Sequence, residues 1–313
     1  MDVSAFVSYR GRLVEACSQA IVGKQREIML IAVCSLCGGH ILLEDVPGTG
    51  KTMLFRAFAR ACGGSFKRIQ LTPDVTPSDV TGIHFYNMKT GEFEFRPGPV
   101  FADMVLADEI NRATPRTQSS LLEAMAERQV SVDGETRRLS DTFLVAATQN
   151  PIESFGTFPL PEAQMDRFMM RLRLGYMPRG EEIGVALRGD TEDIIEKIRP
   201  VVSAEETLKL RGMIDRIEVS VPVMGYLMDI IEKTRNDARF QIGASPRGTI
   251  FLTKAARVYA AFHERAYVTP DDVKTLAPYV LAHRLYYRTA VDSAKAEALF
   301  IEMLNGIPVP TEA

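Results

Sequence analysis

Cysteine is scarce in this 313-residue chain: Cys17, Cys34, Cys37 and Cys62 are too few to staple a fold of this size, which argues against a disulfide-framed scaffold and fits a reducing cytoplasm. A basic excess is also missing. The formal net charge is −3 and the pI near 5.9, so the overall balance does not favour a nucleic-acid groove. No apolar leader follows Met1, and the longest apolar stretch, Ile28 to Leu43, is broken by Gly38-Gly39-His40 before it reaches the length of a membrane span. That stretch reads as a buried helix followed by a buried strand. Cys34 and Cys37 form a C-x-x-C pair, but neither a second pair nor a histidine cluster accompanies them, and the spacing suits one buried helix face. No internal repeat is visible.

What the chain does have is one loop with the right flanks. Asp45-Val46-Pro47-Gly48-Thr49-Gly50-Lys51-Thr52 follows a strand-like Ile41-Leu42-Leu43 and precedes a helix-like Met53 to Ala61, the strand, loop, helix order of a phosphate-binding loop. Glycines there let successive backbone N–H groups converge on phosphate oxygens at the positive end of a helix, while Lys51 adds a point charge and Thr52 a magnesium ligand. The pattern departs from G-x-x-x-x-G-K-T only at Asp45, where a glycine would stand. A second segment, Val105-Leu106-Ala107-Asp108-Glu109, is an apolar strand ending in two carboxylates. Asp108 is expected to hold Mg²⁺ through water together with Thr52, and Glu109 to polarise an attacking water.

The composition, 46% apolar and 25% charged, is that of a globular chain, and the length predicts two domains. After an N-terminal helical region, Val3 to Gln19, short apolar runs alternate with helical periodicity as in a parallel sheet covered on both faces. Five strands are expected: Ile41 to Leu43, Phe66 to Leu71, Met104 to Ala107, Thr142 to Ala147, and Met170 to Leu174 as an edge strand with one wet side. Two hairpins interrupt the alternation, one between Gly82 and Pro99 turning on Gly91, the other between Gln129 and Leu139 turning on Asp133-Gly134. Beyond Pro178 the pattern is helical, so the expected domains are 1–177 and 178–313. Ser203, Thr269-Pro270 and Ser293 mark helix starts there.

Three further residues carry candidate roles against plainer alternatives. Asn150 ends an apolar strand and its neutral amide suits orienting a water, although asparagine before Pro151 is also an ordinary turn residue. Arg167 falls near the end of a short helix, where a cation is favourable without any ligand. Arg247 follows Ser245-Pro246 at a helix N-terminus, where an anion is welcome and a guanidinium is unfavourable without a phosphate. Arg96 and Arg112 suit either an intersubunit site or the anchoring of a loop or hairpin base.

These motifs resemble the AAA+ ATPases, and the wording of the segments resembles the MoxR family. The segments are Glu44 to Thr52, Phe95 to Phe101, Ala107-Asp108-Glu109-Ile110-Asn111-Arg112, Ala147 to Pro151, Glu162 to Phe168, and Ala244-Ser245-Pro246-Arg247. The resemblance implies an α/β P-loop core with a five-stranded parallel sheet, two inserted hairpins and a C-terminal helical lid. It implies Mg-dependent ATP hydrolysis with Pro47, Gly48, Thr49, Gly50, Lys51, Thr52 and Met53 around the phosphates and Ile21, Val22 and Gly23 against adenine. Asn150 would be sensor 1, Arg247 sensor 2, and Arg167 the arginine finger offered to the neighbouring subunit. It further implies a homo-oligomeric, hexameric ring, chaperone-like remodelling, maturation or metal insertion, and a partner bearing a von Willebrand factor A domain. Other readings are a nucleic-acid motor, disfavoured because Lys89 faces Glu92 and Glu94 and because Asp133 and Glu135 offset Arg137-Arg138; a magnesium-chelatase-like motor subunit; and a slow nucleotide-gated scaffold.

Overall fold

The computed structural model describes residues 2–45, 48–150, 156–188, 191–289, 291 and 293–310. Pro47, a phosphate-loop residue in the sequence, lies outside the described residues, as do Val46 and Pro151. In chain order the elements are α1 (Ser4–Ser18), α2 (Gln25–Leu36), β1 (Ile41–Glu44), α3 (Lys51–Cys62), β2 (Phe66–Gln70), α4 (Pro77–Thr81), β3 (Gly82–Asn87), β4 (Glu92–Pro97), β5 (Met104–Asp108), α5 (Pro115–Glu127), β6 (Gln129–Val132), β7 (Glu135–Arg138), β8 (Leu144–Gln149), α6 (Glu162–Met165) and β9 (Met170–Leu172). Next come α7 (Arg179–Leu187), α8 (Thr191–Lys197), α9 (Ala204–Arg211), α10 (Val221–Asn236), β10 (Phe240–Ile242), α11 (Pro246–Phe262), α12 (Pro270–Leu281), β11 (Tyr286–Tyr287) and α13 (Ser293–Asn305).

The five expected strands form one parallel sheet in the order β2-β5-β8-β1-β9. Side chains alternate across it with the strand period. Ile41, Leu43, Met104, Leu106, Leu144 and Ala146 join the larger core, with α1, α2, α3 and much of the C-terminal region. Their chain neighbours Leu42, Val105, Ala107, Val145 and Ala147 join a second core beneath α5. Both faces are therefore covered, as continuous apolar strands require. One expected strand starts later than its pattern suggests: Thr142 hydrogen-bonds Asp103 in the turn before β8 instead of entering the sheet.

β9 is the edge strand, but its polar side is not wet. Arg171 is only 10% exposed and pairs with buried Glu44, which Arg173 also contacts at 2.7 Å. Burial alone would raise the Glu44 pKa, but Arg171 and Arg173 outweigh it and hold it below the ordinary value.

Both hairpins are present. β3 and β4 pair from Gly82–Pro97 to Asn87–Glu92, with Gly91 at φ +75° in the turn. At the hairpin base a Cβ on Gly82 would stand 2.6 Å from the Gly98 amide nitrogen, so the two chains cross where only glycine fits. β6 and β7 turn through Asp133 and Gly134, both at positive φ, as a two-residue hairpin turn demands. Arg137 pairs with Glu135 as expected, whereas Glu94 accepts from Asn87 and Thr90 at the first turn and Asp133 pairs with His84. The two hairpins also touch, through His84–Asp133 at 2.8 Å and the Arg137 guanidinium 4.1 Å above the Phe95 ring.

The region after Pro178 is helical, with one addition. Phe240–Ile242 and Tyr286–Tyr287 form a small antiparallel ribbon whose segments are too short to leave a strand period in the sequence. The helix starts behave as expected: Ser203 and Ser245 cap α9 and α11, and Thr269 with Asp272 forms a reciprocal capping box on α12. Cys34 is buried and Cys37 nearly so, and desolvation pushes the Cys37 thiol up to about 12, in keeping with a core role.

Candidate active site

β8 lies between β1 and β5, so their carboxyl ends emerge side by side, the edge at which open α/β sheets bind ligands. The loop after β1, the Asp108-Glu109 pair after β5 and Asn150 after β8 all leave from it. Gly50 sits at φ +83° as the residue preceding α3, which places Lys51 and Thr52 in the first turn of that helix. A helix start directs backbone N–H groups and positive dipole toward phosphate oxygens. Asp45, at the position of the missing glycine, anchors the loop. Its Oδ2 accepts from the backbone of Leu174 (2.9 Å) and Gly175 (2.7 Å), tying the loop to the end of β9. Lys51 Nζ donates to the Asp45 carbonyl at 2.8 Å. Burial lowers the Lys51 pKa, with Asp45, Asp108 and Glu109 pulling the other way.

Beside the loop is a cleft lined by Ile21, Val22, Gly48, Thr49, Gly50 and Met53, so the structure brings the expected base-binding segment to the expected phosphate loop. Gly23 follows in a left-handed conformation, with the Glu181 carboxylate packed where a side chain would point.

The paired carboxylates are held differently. Asp108 is 7% exposed; its Oδ1 accepts from Thr148 and its Oδ2 from Arg68 Nε at 2.6 Å. Glu109 adopts φ +56°, a left-handed conformation that a glutamate rarely takes and that is often retained at functional sites. Its N–H donates to Thr148 Oγ1 (2.9 Å), and its Oε2 accepts from Gln70 (2.8 Å) and Arg112 (3.0 Å). Arg112 is thus within the site as a partner of Glu109, whereas Arg96 lies on β4 opposite Ile83. Arg68, Gln70 and Thr148 carry no sequence signal strong enough to single them out, except that Thr148 is a buried hydroxyl at the end of an otherwise apolar strand.

Three candidates remain. Asn150 is buried at the end of β8 and shares a cavity wall with Asn111, Gln149 and Met165. Arg167, just past α6, donates to the Leu122 carbonyl in α5 at 2.6 Å. Arg247 does have an anion at its helix start, and that anion is Asp166: Arg247 Nη1 lies 3.4 Å from Asp166 Oδ2. The expectation that this arginine requires a phosphate therefore needs correction, since a carboxylate of the same chain already serves. Neither Arg167 nor Arg247 lines the cleft beside the phosphate loop.

Residues 40–170 match the model of the "ATPase family associated with various cellular activities (AAA)", and residues 232–301 that of the "AAA lid domain". A solved structure from Cytophaga hutchinsonii assigned as an ATPase superposes with a TM-score of 0.88 at 35% identity, covering 98% of each chain. The P-loop sheet, acidic strand end and helical C-terminal region thus define an AAA+ ATPase.

Among curated proteins the chain is 48% identical to the uncharacterized protein YeaC of Bacillus subtilis, over 96% of this chain and 95% of that one. It is 39% identical to chaperone MoxR1 of Mycobacterium tuberculosis, over 96% of this chain and 82% of that one. The chain belongs to the MoxR family of AAA+ ATPases.

Proposed function

We propose that this ATPase acts as a homo-oligomeric, hexameric ring in the cytoplasm that hydrolyses ATP with Mg²⁺ to remodel, mature or load metal into partner proteins, working with a von Willebrand factor A domain partner. The observation that carries the ring is the separation of parts. The phosphate loop and Asp108-Glu109 open at one sheet edge, while Arg167 is held on the Leu122 carbonyl, Arg247 is held by Asp166, and neither lines the loop's own cleft. Arg167, so placed, serves the nucleotide of a neighbouring copy, and Arg247 is the sensor-2 residue through which the helical lid closes over phosphate. Residues 1–177 are assigned to nucleotide binding and 178–313 to the lid, a division supported by the gap between β9 and α7.

The donor set fits magnesium. Thr52 and Asp108 offer a hydroxyl and a carboxylate, and among the described residues no group of three or more His, Cys, Asp or Glu forms a metal cage. That suits a cation held by one or two protein oxygens and substrate phosphates. When bound, the cation would neutralise charge developing on the phosphates. Backbone N–H groups of Gly48 to Thr52 and the Lys51 ammonium orient the β- and γ-phosphates, with Ile21, Val22, Gly23 and Met53 around the base. Glu109 polarises the water that attacks the γ-phosphorus in line, and Asn150 holds that water; the bond to the β–γ bridging oxygen breaks, leaving ADP and phosphate. With Gln70 and Arg112 on its carboxylate, Glu109 must exchange these partners for water before turnover.

The test is ATP turnover per protomer against protein concentration, for wild type, Arg167→Ala, Glu109→Gln and an equimolar mixture of the two variants. Turnover should rise with concentration, fall by about 10³-fold or more in Arg167→Ala, and partly recover in the mixture. Flat turnover per protomer, untouched by Arg167→Ala, defeats the ring.

A further inference from the structure

The Asp166 carboxylate is the meeting point of three groups from the C-terminal region. On Oδ1 it accepts from Ser245 Oγ at 2.8 Å and from Arg284 Nε at 2.9 Å; on Oδ2 it has, among the described residues, only the Arg247 contact at 3.4 Å. The two arginines are not equivalent. Arg284 is 1% exposed, and its guanidinium also reaches the carbonyls of Asp166, Phe168 and Met169. Removing its carboxylate would leave a buried charge uncompensated. Arg247 is 47% exposed and adds a second cation to a carboxylate already compensated, so its contact is weak and screened. Arg247 can leave without disturbing the buried pair.

The place Asp166 fills is also one built for an anion. Ser245 caps α11, accepting from the Gly248 N–H at 3.2 Å while donating to Asp166, and α11 has no acidic residue in its own first turn. Asp166 thus supplies from another element the negative charge that the helix start favours. It directly precedes Arg167.

We propose that Asp166 is a positioning residue that holds Arg247 beside Arg167 and competes with the γ-phosphate for it, so that triphosphate binding releases Arg247 from the Asp166-Arg167 segment while Arg284 and Ser245 keep that segment in place. The proposal rests on the reading above that Arg247 is a phosphate ligand carried by the helical lid. Asp166 sets how readily Arg247 is given up, and thereby how strongly ring occupancy favours ATP over ADP.

The experiment is a cycle on the full chain at a concentration where it is assembled, with equilibrium affinities for Mg-AMPPNP and ADP and a thermal melt for wild type, Asp166→Asn, Arg247→Ala and the double variant. Asp166→Asn keeps Oδ1 as an acceptor and removes the charge. It should tighten AMPPNP by about two- to fivefold, as loss of one exposed competing ion pair allows, leave ADP unchanged, and have no effect on AMPPNP once Arg247 is alanine. Asp166→Glu should restore wild-type affinity. Weakening of both nucleotides in both backgrounds, or a gain that persists without Arg247, overturns the competition and leaves Asp166 a structural carboxylate. If Arg247→Ala alone binds AMPPNP and ADP as wild type does, the reading of Arg247 fails, and the proposal with it. Should Asp166→Asn not fold, Asp166→Asn with Arg284→Met removes the buried pair together, a replacement buried pairs often tolerate, and the same comparison decides.

Discussion

Two of the four histidines are fully buried as neutral rings, and this makes the fold acid-sensitive in a window that carboxylates do not reach. His40 accepts the Val145 N–H at Nδ1 (3.0 Å), which leaves Nε2 to donate to the Met125 carbonyl at 3.0 Å and joins the end of α5 to β8. His283 Nε2 lies 3.0 Å from the Phe168 carbonyl and 2.6 Å from the Arg284 guanidinium. Desolvation lowers the His40 pKa to about 3 and takes His283 well below its ordinary 6.5; the Arg284 and Arg171 guanidinium groups push His283 further down. The unfolded chain binds a proton at each ring below about pH 6.5 and the folded chain does not, so stability is complete above that pH and declines as pH falls toward the folded values. Each proton is worth about 1.4 kcal/mol per pH unit. Between pH 6.5 and 5 the loss from His40 is therefore about 1.6 kcal/mol, and His283 adds a loss of the same sign. Urea unfolding at the two pH values measures the loss, and imidazole proton NMR should show the His40 ring untitrated above pH 5. His40→Gln and His283→Gln should each be less stable than wild type at pH 7.5 but lose less than wild type across the window. A wild-type loss under about 1 kcal/mol, or variants that keep the full slope, would refute the reasoning.

Other outcomes follow from single features. Asp272 is buried and forms two 2.6 Å contacts with Arg265 besides capping α12, so Asp272→Ala should cost about 3 kcal/mol in urea unfolding. Gly50→Ala introduces a Cβ at φ +83° in open space; strain alone should cost about 1–2 kcal/mol of stability, and nucleotide affinity should fall further than stability. Glu109→Gln should bind ATP as wild type does while turnover falls by about 10²–10⁴, the usual range for a lost general base, as single-turnover kinetics would show.

Much of the site was legible because its signals are local. A phosphate loop is a continuous stretch whose glycines answer a backbone requirement, and Gly50 at positive φ before α3 is that requirement met. The hairpin turns at Gly91 and Asp133-Gly134 were readable for the same reason. Burial periodicity placed the five strands, and the edge position of β9 followed from its alternation. That alternation misled about Arg171, since arginine facing a buried glutamate and arginine facing water look alike in one chain. The ribbon of β10 and β11 has too few residues to show a period.

The partners were not legible. Arg68 and Asp108 are 40 residues apart, Gln70 and Glu109 39, and Asp166 and Arg284 118, and each pair meets only because the sheet order and the packing of α11 and α12 bring them together. By itself the sequence determined the phosphate loop, the acidic strand end and the helix starts, because each depends on backbone geometry or capping within a few residues. The tertiary structure alone decided which arginine neutralises which carboxylate. Ion pairing depends on distance in space and on the local dielectric, and neither is written in sequence spacing.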